Sequence, residues 1–250
     1  MSLDFWHQRF LQQASWTAYT RKFILEQISP PLPFRVLEIG CGTGAVLSEF
    51  NRQGNLLTGL DLNYQSVVFA RQKHKTGNYM AGDAYHLPII SNTFHLCYCH
   101  YLLLWLSDPY SVIKEMQRVT QPDGWICIFA EPDYQARVDF PLELETLGLL
   151  QNQSLVAQGA SLTTGRKLAA WLADTGLKQI HWGIIGAHQA SQPNTSDGQL
   201  EWETLSRDLS PHISQDEINR YQEIDQASRN QGKRILYIPT FYAYGQKEKK

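Results

Sequence analysis

The stretch 35–46, RVLEIGCGTGAV, constrains the fold more than any other part of the chain. Val36, Leu37, Glu38 and Ile39 suit a strand buried on both faces. They run into glycines at alternate positions, Gly40, Gly42 and Gly44, with Cys41 inside the turn. An apolar helical pattern follows at Ala45, Val46 and Phe50. A strand, turn and helix of this kind bring uncovered backbone N–H groups to a helix N-terminus, where a carboxylate or phosphate is favoured. Glycine suits the turn because it adopts conformations closed to other residues and lets a ligand touch the main chain.

The fingerprint of NAD-binding Rossmann domains is G-x-G-x-x-G. Here the spacing is G-x-G-x-G, and Glu38 stands two places ahead of the first glycine. Beside a pyrophosphate that carboxylate is repulsive. The stretch closely resembles motif I of the class I S-adenosylmethionine (SAM)-dependent methyltransferases. The resemblance implies SAM as cofactor, with Glu38 near its amino group or sulfonium.

The next strand tips agree in order. A second strand over 56–60 ends in Asp61-Leu62-Asn63, and Asp61 lies 21 residues after Gly40. One βα unit takes that interval to bring the neighbouring tip beside the glycine turn, where an acidic residue can accept from both ribose hydroxyls. Asp61 reads alternatively as the N-cap of a helix near Tyr64, a role that Asn63 can also fill. Leu62 is expected on the adenine face. After a helix over 65–74 and a strand over 79–81, the loop Gly82–Pro88 resembles the family's adenine-binding loop. Asp83 there would accept from the adenine amino group and the Ala84 N–H would donate to a ring nitrogen; otherwise this is a surface turn.

A fourth strand, Phe94–Cys99, runs into His100-Tyr101. In the family this tip lies against the transferable methyl group, so His100 and Tyr101 face cofactor or substrate, though a histidine here can equally bond a loop carbonyl. The segment 109–119 is an amphipathic helix with Val112, Ile113, Met116 and Val119 on its buried face. Then Pro122-Asp123-Gly124 makes a turn and 125–130 a fifth strand, resembling the family's R-x-L-(K/R)-P-G-G run with Asp123 in place of one glycine. At its tip Glu131 and Tyr134 either face the substrate or belong to a solvated loop. His100, Tyr101 and Glu131 are the candidate general bases, needed only if the nucleophile carries a proton of high pKa.

The N-terminal segment 3–28 reads as one or two helices, with Phe5, Trp6, Phe10, Trp16, Tyr19, Phe23 and Ile24 mostly at three- and four-residue steps. The stripe is either core packing or a cover over the cofactor, and in the second case Tyr19 and Arg21 face the SAM carboxylate. Pro30, Pro31 and Pro33 then end the helix. Beyond 131, helices are expected at 142–158, 165–175 and 215–231, a strand at 178–185, a loop at 191–197 and a last strand at 234–245. Arg137, Trp171, His188 and Trp202 are candidate pocket residues by position alone.

The expected architecture is a single α/β domain: a helical cover over 1–34, a SAM-binding core over 35–131 and a substrate-shaping half over 132–250. The resemblance implies a seven-stranded, doubly wound Rossmann-like sheet of order 3-2-1-4-5-7-6 with its last strand antiparallel, and is nearest the methyltransferases grouped with ubiquinone and menaquinone biosynthesis. Lys+Arg 22 against Asp+Glu 24 gives a net charge of -2 with no basic stripe, which argues against a nucleic-acid partner and for a small-molecule acceptor. Cys41, Cys97, Cys99 and Cys127 form no paired C-x-x-C, so no metal is expected, and they suit buried reduced thiols in the cytoplasm. No apolar run approaches the roughly 20 residues of a membrane span. Methyl transfer to a small molecule is the reading favoured. Its rivals are a SAM-binding protein without transfer and, less favoured, an NAD-dependent oxidoreductase.

Overall fold

Parallel strands β1 (Arg35–Ile39), β2 (Leu56–Asp61), β3 (Asn78–Ala81), β4 (Phe94–Cys99) and β5 (Thr120–Pro132) form one side of the main sheet. The structure, a computed structural model, describes residues 2–51, 54–186 and 196–249. With β7 (Lys178–Ile184) and β9 (Thr240–Gln246) the seven strands run in the order β3-β2-β1-β4-β5-β9-β7. The last strand of the chain, β9, inserts antiparallel between β5 and β7. This is the expected 3-2-1-4-5-7-6 pattern. Strand order reverses direction at β1 and β4, so ligands are expected in the crevice beyond the carboxyl ends of those strands.

The alternation of side chains along the strands divides the core. Val36, Leu96, Tyr98, Cys127 and Phe129 face one layer, where helix α1 (Leu3–Ile28) adds Ala14, Ile24 and Ile28 and α2 (Tyr64–Lys73) adds Val67 and Ala70. Leu37, Ile39, Cys97, Cys99, Ile126 and Ile128 face the other, against Val112, Ile113, Met116 and Val119 of α3 (Pro109–Val119) and Leu168 and Leu172 of α5 (Leu168–Asp174). Both sheet faces are covered, which is why these strands read as apolar runs. All four cysteines are buried and unbridged.

The C-terminal half adds a second layer over one end of the sheet. Strand β6 (Val138–Phe140) pairs antiparallel with β8 (Ile235–Tyr237). Helices α4 (Glu145–Ala157), α6 (Ser196–Leu209) and α7 (Gln215–Asn230) share a small core of Leu144, Leu147, Trp202, Leu209 and Ile218. Beneath it Asp139 pairs with Arg137 and with Arg234 (2.7 Å), while Asp225 pairs with Arg234 (2.6 Å) and Arg229 (2.8 Å).

Four local expectations differ from what forms. The apolar pattern after the glycine turn becomes only a short 3-10 turn, Leu47–Phe50, because the chain must turn back at Gly54 (φ +74°) to start β2 at Leu56. The Pro-Asp-Gly stretch lies inside β5: Asp123 takes the left-handed φ of 62° there, where the register against β4 shifts between Phe94 and Leu96. The last strand divides into β8 and β9, separated by Ile238 and Pro239. Of the expected loop 191–197, residues 191–195 lie outside the described residues, as does His188; Ser196 and Asp197 instead open α6.

Candidate active site

The glycine turn is held by its own fold. Gly40, Gly42 and Gly44 all take positive φ (70°, 49° and 77°). Their N–H groups are already used: Gly40 and Cys41 donate to the Leu60 carbonyl (2.8 and 3.0 Å), Gly42 to Asp61 Oδ2 (2.7 Å) and Gly44 to the Cys41 carbonyl (2.8 Å). The picture of free N–H groups at a helix N-terminus is therefore corrected, since the following turn has only four residues. What glycine supplies is close approach: a Cβ on Gly40 would meet Leu102 at 2.7 Å and one on Gly42 would meet Phe10 at 3.1 Å. The turn is also pinned through Thr43, whose hydroxyl lies 2.8 Å from His7 Nδ1 and whose carbonyl lies 3.2 Å from His74 Nε2. Burial lowers the pKa of both histidines, and Lys73 beside them lowers it further.

Asp61 stands at the tip of β2 beside this turn, as its spacing required. Its Oδ1 accepts from the Asn63 N–H at 2.8 Å, and Asn63 itself caps α2 by accepting from Gln65 and Ser66. The cap reading of Asp61 is thus taken over by its neighbour. Leu62 is 79% exposed on the same rim. Asp83 accepts from the Tyr85 N–H at 2.9 Å, shaping the loop that carries Ala84. The two acidic side chains stand at the tips of adjacent parallel strands, β2 and β3, paired from Thr58–Asn78 to Asp61–Ala81.

Below the turn, Glu38 is buried and its Oε2 has no hydrogen-bond partner among the described residues. Burial pushes its carboxyl up to about 8, opposed by the neighbouring Tyr98 and Arg21. Arg21 does not face outward. It is 1% exposed and committed to Glu49 (2.6 Å), to the Ala14 carbonyl (2.8 Å) and to the Thr17 hydroxyl. A buried guanidinium has to be paired, and Glu49 supplies the partner, so Arg21 is engaged within the protein rather than directed at the rim. Tyr19, its companion as an expected cofactor residue, is 83% exposed at the rim of the neighbouring cavity.

His100 follows β4 and its Nε2 lies 2.8 Å from the Thr17 hydroxyl of α1. Burial, reinforced by the Arg21 charge, pushes its pKa well below the usual histidine range, so the ring is neutral at neutral pH. Tyr101 takes φ 52° and its ring packs edge-on against His100. Glu131 requires a correction. It is fully buried, and its carboxylate accepts three backbone N–H groups, Leu102 (2.8 Å), Leu103 (2.7 Å) and Leu104 (3.1 Å). These are the otherwise unpaired donors of the turn after Tyr101, so Glu131 positions that turn and is not free to act as a base.

A cavity of about 670 Å³ opens on the other side of α1's inner face. Arg9, Trp16, Thr17 and Tyr19 line it from α1, Tyr101 and Tyr134 from the sheet end, and Trp202 and Arg229 from the helical layer. None of the glycine turn, Asp61 or Asp83 belongs to its lining. Arg137 and Trp202 are among its walls; Trp171 packs instead against the sheet core. Sequence reading passed over Arg9 and Thr17. The signal was available in the seven-residue interval from Arg9 to Trp16, which places both on one helix face. Among the described residues no helix is long and apolar enough to cross a membrane, and no group of three or more His, Cys, Asp or Glu could hold a metal ion.

The geometry has close parallels. Residues 37–128 match the family described as a methyltransferase domain. An uncharacterised methyltransferase of Schizosaccharomyces pombe is 31% identical over 155 residues, covering 56% of this chain and 55% of that protein. A malonyl-[acyl-carrier protein] O-methyltransferase of Pectobacterium atrosepticum is 32% identical over 92 residues, 37% of this chain and 36% of that protein. The chain thus spans about half, or less, of the length of these curated relatives. A solved SAM-dependent methyltransferase of Methanosarcina mazei superposes with TM-score 0.56 at 15% identity, over 88% of this chain and 95% of that one. The matched segment carries Gly40, Gly42, Gly44, Asp61 and Asp83, and through it the chain is similar to the methyltransferase-domain family.

Proposed function

We propose that this protein transfers the methyl group of SAM to a small-molecule acceptor bound in the cavity between α1 and the C-terminal helical layer. The observation that carries the reading is that cavity. It measures about 670 Å³, within the range of sites for drug-sized ligands, and its wall at Thr17 and Tyr101 adjoins the tip of β4. SAM fits the tips of β1, β2 and β3 on chemical grounds: a glycine turn that admits no Cβ, an acidic side chain at each of two neighbouring tips, an exposed Leu62 and an orphaned oxygen on Glu38. Asp61 would receive the ribose hydroxyls, the Asp83–Ala84 loop the adenine edge, Leu62 its face, and Glu38 the charge of the amino acid portion. When bound, SAM supplies an activated methyl group on a sulfonium.

What the chain's own residues supply is alignment and exclusion of water. No strong base faces the cavity at neutral pH among the described residues. Burial raises the Tyr101 and Tyr134 hydroxyls, lowers His100, and Glu131 is bound to three N–H groups. The lining carboxylates Glu201 and Asp225 are ion-paired with Arg229. The acceptor therefore brings a nucleophile that is already unprotonated near pH 7. Thr17 fixes His100, Glu131 fixes the turn after Tyr101, and together they set the surface on which the acceptor rests.

The test is incubation with SAM labelled in its methyl group and panels of carboxylates, amines, thiols and phenols, followed by mass spectrometry. Formation of S-adenosylhomocysteine with one class, and transfer of the label to it, is the expected result. SAM binding without label transfer to any class would instead identify a SAM-binding protein that does not transfer methyl groups.

A further inference from the structure

The cavity wall carries four arginines, Arg9, Arg137, Arg229 and Arg234. Three are spent on structure. Arg137 pairs with Asp139, Arg229 with Asp225 and Glu201, and Arg234 with Asp139 and Asp225. Arg9 differs. Its guanidinium donates one hydrogen bond, to Gln12 Oε1, and lies over the Trp16 ring at 4.9 Å from the centroid. Among the described residues no carboxylate stands within ion-pair range of it. A guanidinium has five N–H donors, so most of Arg9's remain for a ligand.

Glu201 and Asp208 act on Arg9 only through space. Their fields, with those of Tyr101 and Tyr134, offset a burial that lowers its pKa. Glu201 is held by Arg229 at 3.7 Å, and Asp208 accepts from the side-chain amides of Gln151 (3.4 Å) and Gln158 (3.2 Å). A half-buried cation with unused donors, stacked on an indole and facing two tyrosines, is built to receive a planar anion, and a guanidinium binds a carboxylate by two parallel bonds.

We propose that the acceptor is a carboxylic acid, seated with its carboxylate on Arg9 and its apolar body against Trp16, Tyr101 and Tyr134. This rests on the cavity's being the acceptor site. Wall chemistry fits: the rings of Trp16, Tyr101, Tyr134 and Trp202 offer apolar surface, and the other charged side chains of the wall are each in an ion pair. The acid completes the one wall cation that lacks an ion pair among the described residues, rather than displacing an ion pair already formed. Arg9 is a binding residue for the substrate, with no part in moving a proton.

The experiment titrates three acids, benzoate, 4-biphenylcarboxylate and decanoate, each against its own uncharged amide, following tryptophan fluorescence. Each pair has nearly the same shape and differs in charge. At least one acid should bind the native protein about tenfold or more tighter than its amide, the scale of a charge-assisted pair. Arg9→Gln should remove that preference and leave the amide within about twofold, and Arg9→Lys, which keeps the charge, should retain it in part. The proposal is overturned if no acid of the three is preferred over its amide, or if the preference survives Arg9→Gln. Calorimetry with S-adenosylhomocysteine on the same samples reports separately on the cofactor site. A protein that binds the cofactor product but shows no acid preference refutes the acid alone. One that prefers the acid but ignores the cofactor product refutes the methyl-transfer reading.

Discussion

The hydroxyl of Thr17 lies 2.8 Å from Nε2 of His100, and the same oxygen accepts from the guanidinium of Arg21. One side chain in the middle of α1 thereby joins the N-terminal helix to the tip of β4 and to the Arg21–Glu49 pair. Helix α1 is thus bolted to the sheet by a hydrogen bond, in addition to the packing of Ile24 and Ile28.

Thr17→Val keeps the shape and removes the hydroxyl. Arg21 and His100 each lose a partner in a buried setting, which costs about 1–3 kcal/mol. Urea unfolding should show that loss at unchanged m-value. Undiminished stability would mean that the Thr17 link carries no weight.

Glu131→Gln separates a positioning role from a catalytic one. The new amide NH2 must face one of the three N–H donors now held by the carboxylate, so stability should fall by about 1–3 kcal/mol. Denaturant unfolding measures this. An unchanged stability together with a large loss of turnover would restore Glu131 as a base.

Stability should also depend on pH with a definite sign. Glu38 and Glu131 have folded values raised to about 8 from an ordinary 4.5, both through burial. Between those values the folded chain holds protons that the unfolded chain has released. Their contribution is therefore complete below 4.5, declines as pH rises through the interval and is gone above about 8. Unfolding free energies measured from pH 7 to 9, above the range in which the buried histidines titrate, should fall, and Glu38→Gln should flatten the slope. A native protein whose stability rises across this interval would contradict the burial-driven shifts.

How far the chain could be read from its residues follows from where the information lies. β1 to β4 were legible within about two residues because apolar strand runs end in tip residues with fixed roles, as in Ile39-Gly40 and Leu60-Asp61. β5 was legible only in its middle, since it extends through Pro122-Asp123-Gly124, a stretch that resembles a turn. α6 was not foreseen, since only Leu200, Trp202, Leu205 and Leu209 carry its periodicity amid polar residues. The positions of Gly40, Gly42, Asp61 and Asp83 at the strand tips were legible because they need only the turn around them. Arg21 and Glu131 were misjudged because their partners, Glu49 and the N–H groups of residues 102–104, are 28 or so positions away. Thr17 was missed because its partner His100 is 83 positions away, and Arg9 because its seven-residue interval to Trp16 was passed over.

The central claim is tested most directly by calorimetric titration of SAM into the native protein and Asp61→Ala. The account predicts one site per chain, weakened in the variant by about 1.5–3 kcal/mol, or roughly 10- to 150-fold. Equal affinity in a folded Asp61→Ala protein, or no SAM binding by the native chain, would contradict it.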